Sequence, residues 1–151
     1  LMVMIKIVVF LIFFIAPIST LIHELGHAVA ARLLRADFVS LFIGKGKRLV
    51  TFNIFQIQFV VNSFFILGGH TMSYKSPPYN MYESVYVTLF GPLLNGIVAF
   101  ILSIFYSIQA NIYIEIAIWF NLWLFFVNLI PIRLNERQTD GYIVYKMLKK
   151  Y

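Results

Sequence analysis

Three stretches of this 151-residue chain are each long and apolar enough to cross a lipid bilayer. A helix needs about 20 apolar residues to span the hydrocarbon core. Residues 2–22 carry one charge, Lys6; residues 85–108 carry none; residues 110–132 carry only Glu115. The turn between the last two, near residues 107–111, is very short, so an antiparallel helical hairpin is expected. The first run is too long for a signal-peptide core, and no small-residue cleavage site follows it, so it reads as a retained span. Composition agrees: hydrophobic residues make up 61% of the chain and charged residues 12%, more apolar surface than one soluble domain can bury. Disorder is excluded on the same ground. The chain has no cysteine, which excludes disulfides and thiolate metal sites and leaves His, Asp, Glu or water to hold any metal.

The net charge of +6 is distributed, not patched. Arg32, Arg35, Lys45, Lys47, Arg48 and Lys75 lie between the first two spans; Arg133, Arg137, Lys146, Lys149 and Lys150 follow the third. By the positive-inside rule the long loop and the C-terminus are cytoplasmic and the N-terminus is outside. Topology and attraction to the lipid bilayer account for the charge, and no nucleic acid partner is expected.

The segment between the first two spans is not plain linker. Val50-Thr51-Phe52-Asn53-Ile54 alternates apolar and polar residues, and Phe55-Gln56-Ile57-Gln58-Phe59 alternates with the parity shifted by one. Period two indicates strands, and the shift indicates a turn or bulge between Asn53 and Gln56. The expected fold is an all-α membrane protein in one domain. Its three transmembrane helices cover about residues 2–34, 84–108 and 110–132, with a short membrane-associated β-hairpin or sheet over about residues 48–70. A cytoplasmic segment, residues 133–151, closes the chain. Pro77-Pro78 marks a break before the second span, and Pro17 is expected to bend the first.

The chemistry begins at His23-Glu24-Leu25-Gly26-His27, an H-E-x-x-H motif at the inner end of the first span. On a helix, positions i and i+4 share a face, so both imidazoles can reach one metal. Glu24 projects beside them, where it can act as general base toward water that a metal has acidified. An ionisable group at mid-bilayer costs about 2.5–3.5 kcal/mol, so such a cluster implies a polar cavity. A catalytic zinc usually has three protein ligands and one open position. Candidates for the third are Asp37, His70, Glu83, Glu115, Glu136 and Asp140. Glu115 is expected on the outer side, remote from the pair, and Asp37 would need a fold-back. Asp140 follows the third span on the same side as the His pair. Ahead of it, Asn128-Leu129-Ile130-Pro131 is expected to end the helix. Asn95 and Asn128, inside spans, read as interhelical hydrogen-bonding groups.

Taken together, His23 to His27, Gly68-Gly69, Gly91-Pro92-Leu93-Leu94-Asn95, and Asn128-Leu129-Ile130-Pro131 with Asp140-Gly141 follow the order found in one family. Over roughly residues 19–148 the chain resembles the site-2 protease family of intramembrane zinc metallopeptidases (peptidase family M50). The resemblance implies a three-helix core around one zinc ion (Zn2+) per chain, open to water from the cytosolic side. It implies a zinc metalloendopeptidase whose partners are transmembrane protein substrates, in regulated intramembrane proteolysis. His23, His27 and Asp140 resemble the metal ligands and Glu24 the catalytic glutamate. Asn95 resembles an asparagine that engages substrate backbone, and Gly69 falls with the substrate-binding positions. The strands before Gly68 resemble a membrane-dipping region that clamps an extended substrate, here expected within residues 49–61. The family's common PDZ or CBS domains are absent, which makes the chain a bare core or a fragment opening on Leu1. Its compactness fits a multi-pass protein of a bacterial plasma membrane.

One departure stands out. The family has a short step from N-x-x-P to its D-G, whereas Asp140 lies nine residues after Pro131. The inserted polar turn is expected to loop into the cytosol; otherwise Glu136 or His70 would be the third ligand, or there would be none. A catalytically silent site-2-protease-like protein, acting as a binding or regulatory partner, is the alternative function. A metal-ion transporter is disfavoured, because so few acidic groups lie in the spans.

Overall fold

The structure, a computed structural model, describes residues 1–135 and 137–149. The elements run α1 (Met2–Phe10), a π-helical turn (Leu11–Ile15), α2 (Ala16–Leu33), β1 (Phe38–Ile54), β2 (Ile57–Tyr74), α3 (Met81–Ile108), α4 (Ile112–Leu129), β3 (Arg133–Leu134), β4 (Arg137–Gln138) and α5 (Asp140–Leu148). Three helices are long and apolar enough to cross a membrane: Met2–Leu33, Met81–Ile108 and Ile112–Leu129. Large apolar side chains such as Phe100, Phe105, Trp119 and Trp123 stay exposed on them, as expected of a lipid-facing surface.

Pro17 lies at the start of α2, directly after the π turn. Proline lacks the N–H that would bond four residues back, and its ring crowds that carbonyl; the preceding turn widens. The first span therefore stays one continuous helix with a wide turn. At the other ends, polar side chains take up the orphan N–H groups. Asn80 and Glu83 form a capping box at α3, and Asn111 caps α4.

The all-α expectation is corrected: the fold is mixed helix and sheet. Strands of 17 and 18 residues occupy residues 38–74, well beyond the expected 48–70. The two-residue turn falls at Phe55-Gln56, inside the expected window, and Ile54 pairs with Ile57 across it. The ribbon folds over on itself. Residues 38–43 pair with 69–74 on one side, from Phe38↔Tyr74 to Ile43↔Gly69. Residues 40–43 pair with 58–61 on the other side, and residues 50–54 pair with 57–61 beyond that. Four segments result, in the order 69–74, 38–43, 58–61, 50–54. Residues 39–41 are buried, so they show no alternation and resemble loop or helix in sequence. Gly44, with φ of +77°, turns the chain out of that central segment where it passes tightly over Phe64 and Phe65.

The sheet packs on α2 through a core of Ala28, Ala31, Ala36, Val39, Leu41 and Ile57. Alanines on the helix let the strands approach closely. On its other side α2 meets α3 at two glycines: a Cβ on Gly26 would lie 2.8 Å from the Cα of Gly91. This close crossing sets where the His23–His27 face of α2 lies relative to α3.

Candidate metal centre

His23 and His27 stand one turn apart on α2 with their Nε2 atoms 3.1 Å apart. Asp140, the first residue of α5, brings Oδ2 to 3.1 Å from His23 Nε2 and 3.6 Å from His27 Nε2. Among the described residues, these three form a group that could hold a metal ion, with ligand atoms all within 4.8 Å of one another. Donors about 2.0–2.1 Å from a shared ion at tetrahedral angles lie about 3.3 Å apart, so the spacing fits.

The hydrogen bonds behind the ligands fit as well. His23 Nδ1 lies 2.9 Å from Asn95 Oδ1, and His27 Nδ1 lies 2.9 Å from the Val87 carbonyl oxygen. Both partners are acceptors, so each ring carries its proton on Nδ1 and turns the Nε2 lone pair inward. The Asn95 amide is itself oriented, because its nitrogen donates to Ser19 O at 3.0 Å and to Asn121 Oδ1 at 2.8 Å. Asp140 Oδ2 is buried and no donor reaches it. Two lone pairs and a carboxylate oxygen thus face one point, an arrangement that a cation satisfies.

Asp140 reaches this point despite its long separation from Pro131. The intervening residues leave as a small hairpin in which Arg133 pairs with Gln138 and Leu134 with Arg137. Thr139 closes its base: its N–H donates to Ile132 O at 3.1 Å, and its hydroxyl lies 2.6 Å from Ile130 O. Thr139 also caps α5, so Asp140 follows in a fixed position. Gly141 lets α5 sit against the end of α4, since a Cβ there would lie 2.6 Å from the Leu129 carbonyl carbon. Glu136, a sequence candidate, lies outside the described residues.

The other described third-ligand candidates lie outside the group that could hold a metal, although His70 lines the cavity beside it. His70 stacks on Phe42 with ring centroids 4.4 Å apart. Asp37 Oδ2 accepts from Ser76 N at 2.7 Å, Glu83 pairs with Lys75 and the Asn80 backbone, and Glu115 is near Tyr106.

Glu24 lines the same cavity, of about 370 Å³, together with the His pair, Asp140, His70, Thr71 and Asn128. Nothing in the sequence singles out Thr71, which lines the cavity from β2. Its hydroxyl donates to Glu24 Oε2 at 2.8 Å and sits 2.9 Å from the Glu24 main-chain oxygen. Gly69 packs against the same side chain: a Cβ there would lie 3.1 Å from Glu24 Cγ. A carboxylate beside a group that could hold a metal ion is placed where it can move protons.

Two expectations change. Asn95 is fully buried with its amide bonded to His23, Ser19 and Asn121, and it is not among the residues that line the cavity. The strand segment beside the cavity is 69–74, not one within 49–61; residues 58–61 are paired on both sides, and 50–54 form the far edge.

The chain is 28% identical over 141 residues to the uncharacterized membrane protein YwmF of Bacillus subtilis (strain 168), covering 89% of this chain and 84% of that protein. With three membrane-crossing helices, it is an integral membrane protein. Residues 9–113 match the family model of peptidase family M50, a span that includes the H-E-x-x-H turn, the whole ribbon and α3. The chain belongs to peptidase family M50.

Proposed function

We propose that this protein is a zinc-dependent intramembrane endopeptidase that hydrolyses peptide bonds in transmembrane segments of other membrane proteins. The observation that carries the reading is the convergence of His23 Nε2, His27 Nε2 and Asp140 Oδ2, with Glu24 in the same cavity. Two imidazoles, one carboxylate and an open side suit zinc in a catalytic site. When bound, zinc supplies Lewis acidity that polarises a carbonyl and makes water a stronger acid.

The chain's own residues do the rest. Glu24 takes the proton from the attacking water and returns it to the departing amine. Thr71 keeps the carboxylate turned toward the cavity. A substrate helix hides its carbonyls in its own hydrogen bonds, so it must unwind first. The edge of residues 69–74, next to Glu24, offers main-chain groups to the extended segment by β-addition. The basic residues favour an outside N-terminus and a cytoplasmic C-terminus, in a bacterial plasma membrane.

The experiment pairs metal content with cleavage. Detergent-purified protein is expected to hold about one zinc per chain, lost in His27→Ala. Glu24→Gln is expected to keep the metal and cleave no membrane-protein substrate. Full cleavage by Glu24→Gln would remove Glu24 from the mechanism, and a folded protein that binds no zinc would favour a silent relative.

A further inference from the structure

Between the C-terminal half of α2 and the turn of the β1–β2 ribbon runs a groove of about 640 Å³ whose lining includes none of His23, Glu24, His27 and Asp140. Leu25, Val29 and Leu33, spaced four apart on one face of α2, form one wall. Ile54, Ile57 and Phe59 form the other. Phe55, at the turn, is 91% exposed, and Leu33 is 63% exposed. The groove opens at the end of a membrane-crossing helix, so such apolar surface meets lipid.

One charge sits in the lining, the guanidinium of Arg32. Its terminal nitrogens donate to Ala36 O and Gln56 Oε1, which are both neutral. Among the described residues no carboxylate pairs with it. Asp37, the nearest acid in sequence, accepts from Ser76 instead, and residues 38–82 contain no Asp or Glu. Phe55 and Gln56 both have positive φ, 49° and 61°. That turn sets Gln56 on Arg32 and leaves Phe55 beside the groove. The result is an apolar trough with an uncompensated cation whose remaining N–H groups can still donate.

We propose that this groove binds one acidic phospholipid of the surrounding bilayer, with an acyl chain along Leu25, Val29 and Leu33 and the phosphate on Arg32. Lipid fills the trough in any case; the guanidinium decides which lipid. Arginine binds phosphate through paired N–H groups, and a lipid of net negative charge leaves no second cation near it. The site stands whether or not the chain is a protease. It braces the ribbon against α2, and the same ribbon carries the 69–74 segment that lines the metal cavity.

The test is native mass spectrometry of the full chain from detergent micelles containing equal phosphatidylglycerol and phosphatidylcholine. Wild type is expected to retain one phosphatidylglycerol in about tenfold preference. Arg32→Gln is expected to lose the preference, and Val29→Trp, which fills the trough, to retain neither lipid; circular dichroism checks that each variant is helical. Equal retention of the two lipids by wild type, or no retained lipid, overturns the proposal without recourse to a variant. A preference that survives both substitutions overturns it as well.

Discussion

The side-chain oxygen of Asn95 on α3 holds the Nδ1 of His23 on α2 at 2.9 Å, joining residues 72 apart in the chain. This contact fixes which nitrogen of His23 can face a metal. Asn95 can do so because Ser19 and Asn121 orient its amide. Asn121 is itself tied to the Ser19 hydroxyl at 2.9 Å, so all three membrane-crossing segments meet in one buried polar cluster. Asn95→Leu removes the acceptor while keeping a branched side chain of similar length. Zinc affinity is expected to fall about 10–100-fold, the usual effect of losing a partner behind a metal-bound histidine. Competition with a chelator reads this directly, and an unchanged affinity would mean that the His23 tautomer is set by something else.

Thr71 makes a second kind of prediction, on rate and not on metal. Hydrogen bonds to charged groups are worth about 1.5–3 kcal/mol, so freeing Glu24 from the Thr71 hydroxyl should slow turnover by about tenfold or more. Thr71→Val keeps the shape and is expected to lower kcat with zinc content unchanged. Thr71→Ser keeps the hydroxyl and is expected to retain most of the rate. If valine and serine variants turn over alike, the hydroxyl is not what orients Glu24.

How far the sequence led can be judged residue by residue. His23, Glu24 and His27 are legible because four-residue spacing on a helix is a local geometric fact. The helices are legible because lipid demands long apolar runs. The turn at Phe55-Gln56 shows as a parity shift in the alternating pattern on either side of it. Residues 38–43 are not legible as a strand, because segments on both sides and α2 beneath remove the polar face that would have produced alternation. Thr71 carries no signal at all: a threonine after Gly68-Gly69-His70 reads as loop, and its link to Glu24 spans 47 residues. Asn95 is legible as an interhelical hydrogen-bonding residue. The resemblance implies substrate contact for it; in the fold its side chain is fully buried and bonded to His23, Ser19 and Asn121.

The placement of Asp140 supplies the last prediction. The excursion after Pro131 is harmless to the site only because its base is closed, by Thr139 N–H on Ile132 O and by the Thr139 hydroxyl on Ile130 O. Above that closure, none of the described hairpin residues belongs to the group that could hold a metal, and Gln138, which lines the cavity beside it, is kept when the hairpin is shortened. Shortening the hairpin, by replacing Leu134 to Arg137 with Asn-Gly, should therefore leave zinc binding as it was, since that pair suits a two-residue turn. Thr139→Val should do the opposite. It removes the cap of α5, a loss of about 0.5–2 kcal/mol, and with it the hydroxyl contact that fixes where Asp140 enters the cavity. Zinc affinity is expected to drop in Thr139→Val and to hold in the shortened chain. Elemental analysis of both proteins, alongside Asp140→Asn, separates the cases. Loss of zinc in the shortened chain would show that the hairpin itself, and not its closed base, delivers the third ligand.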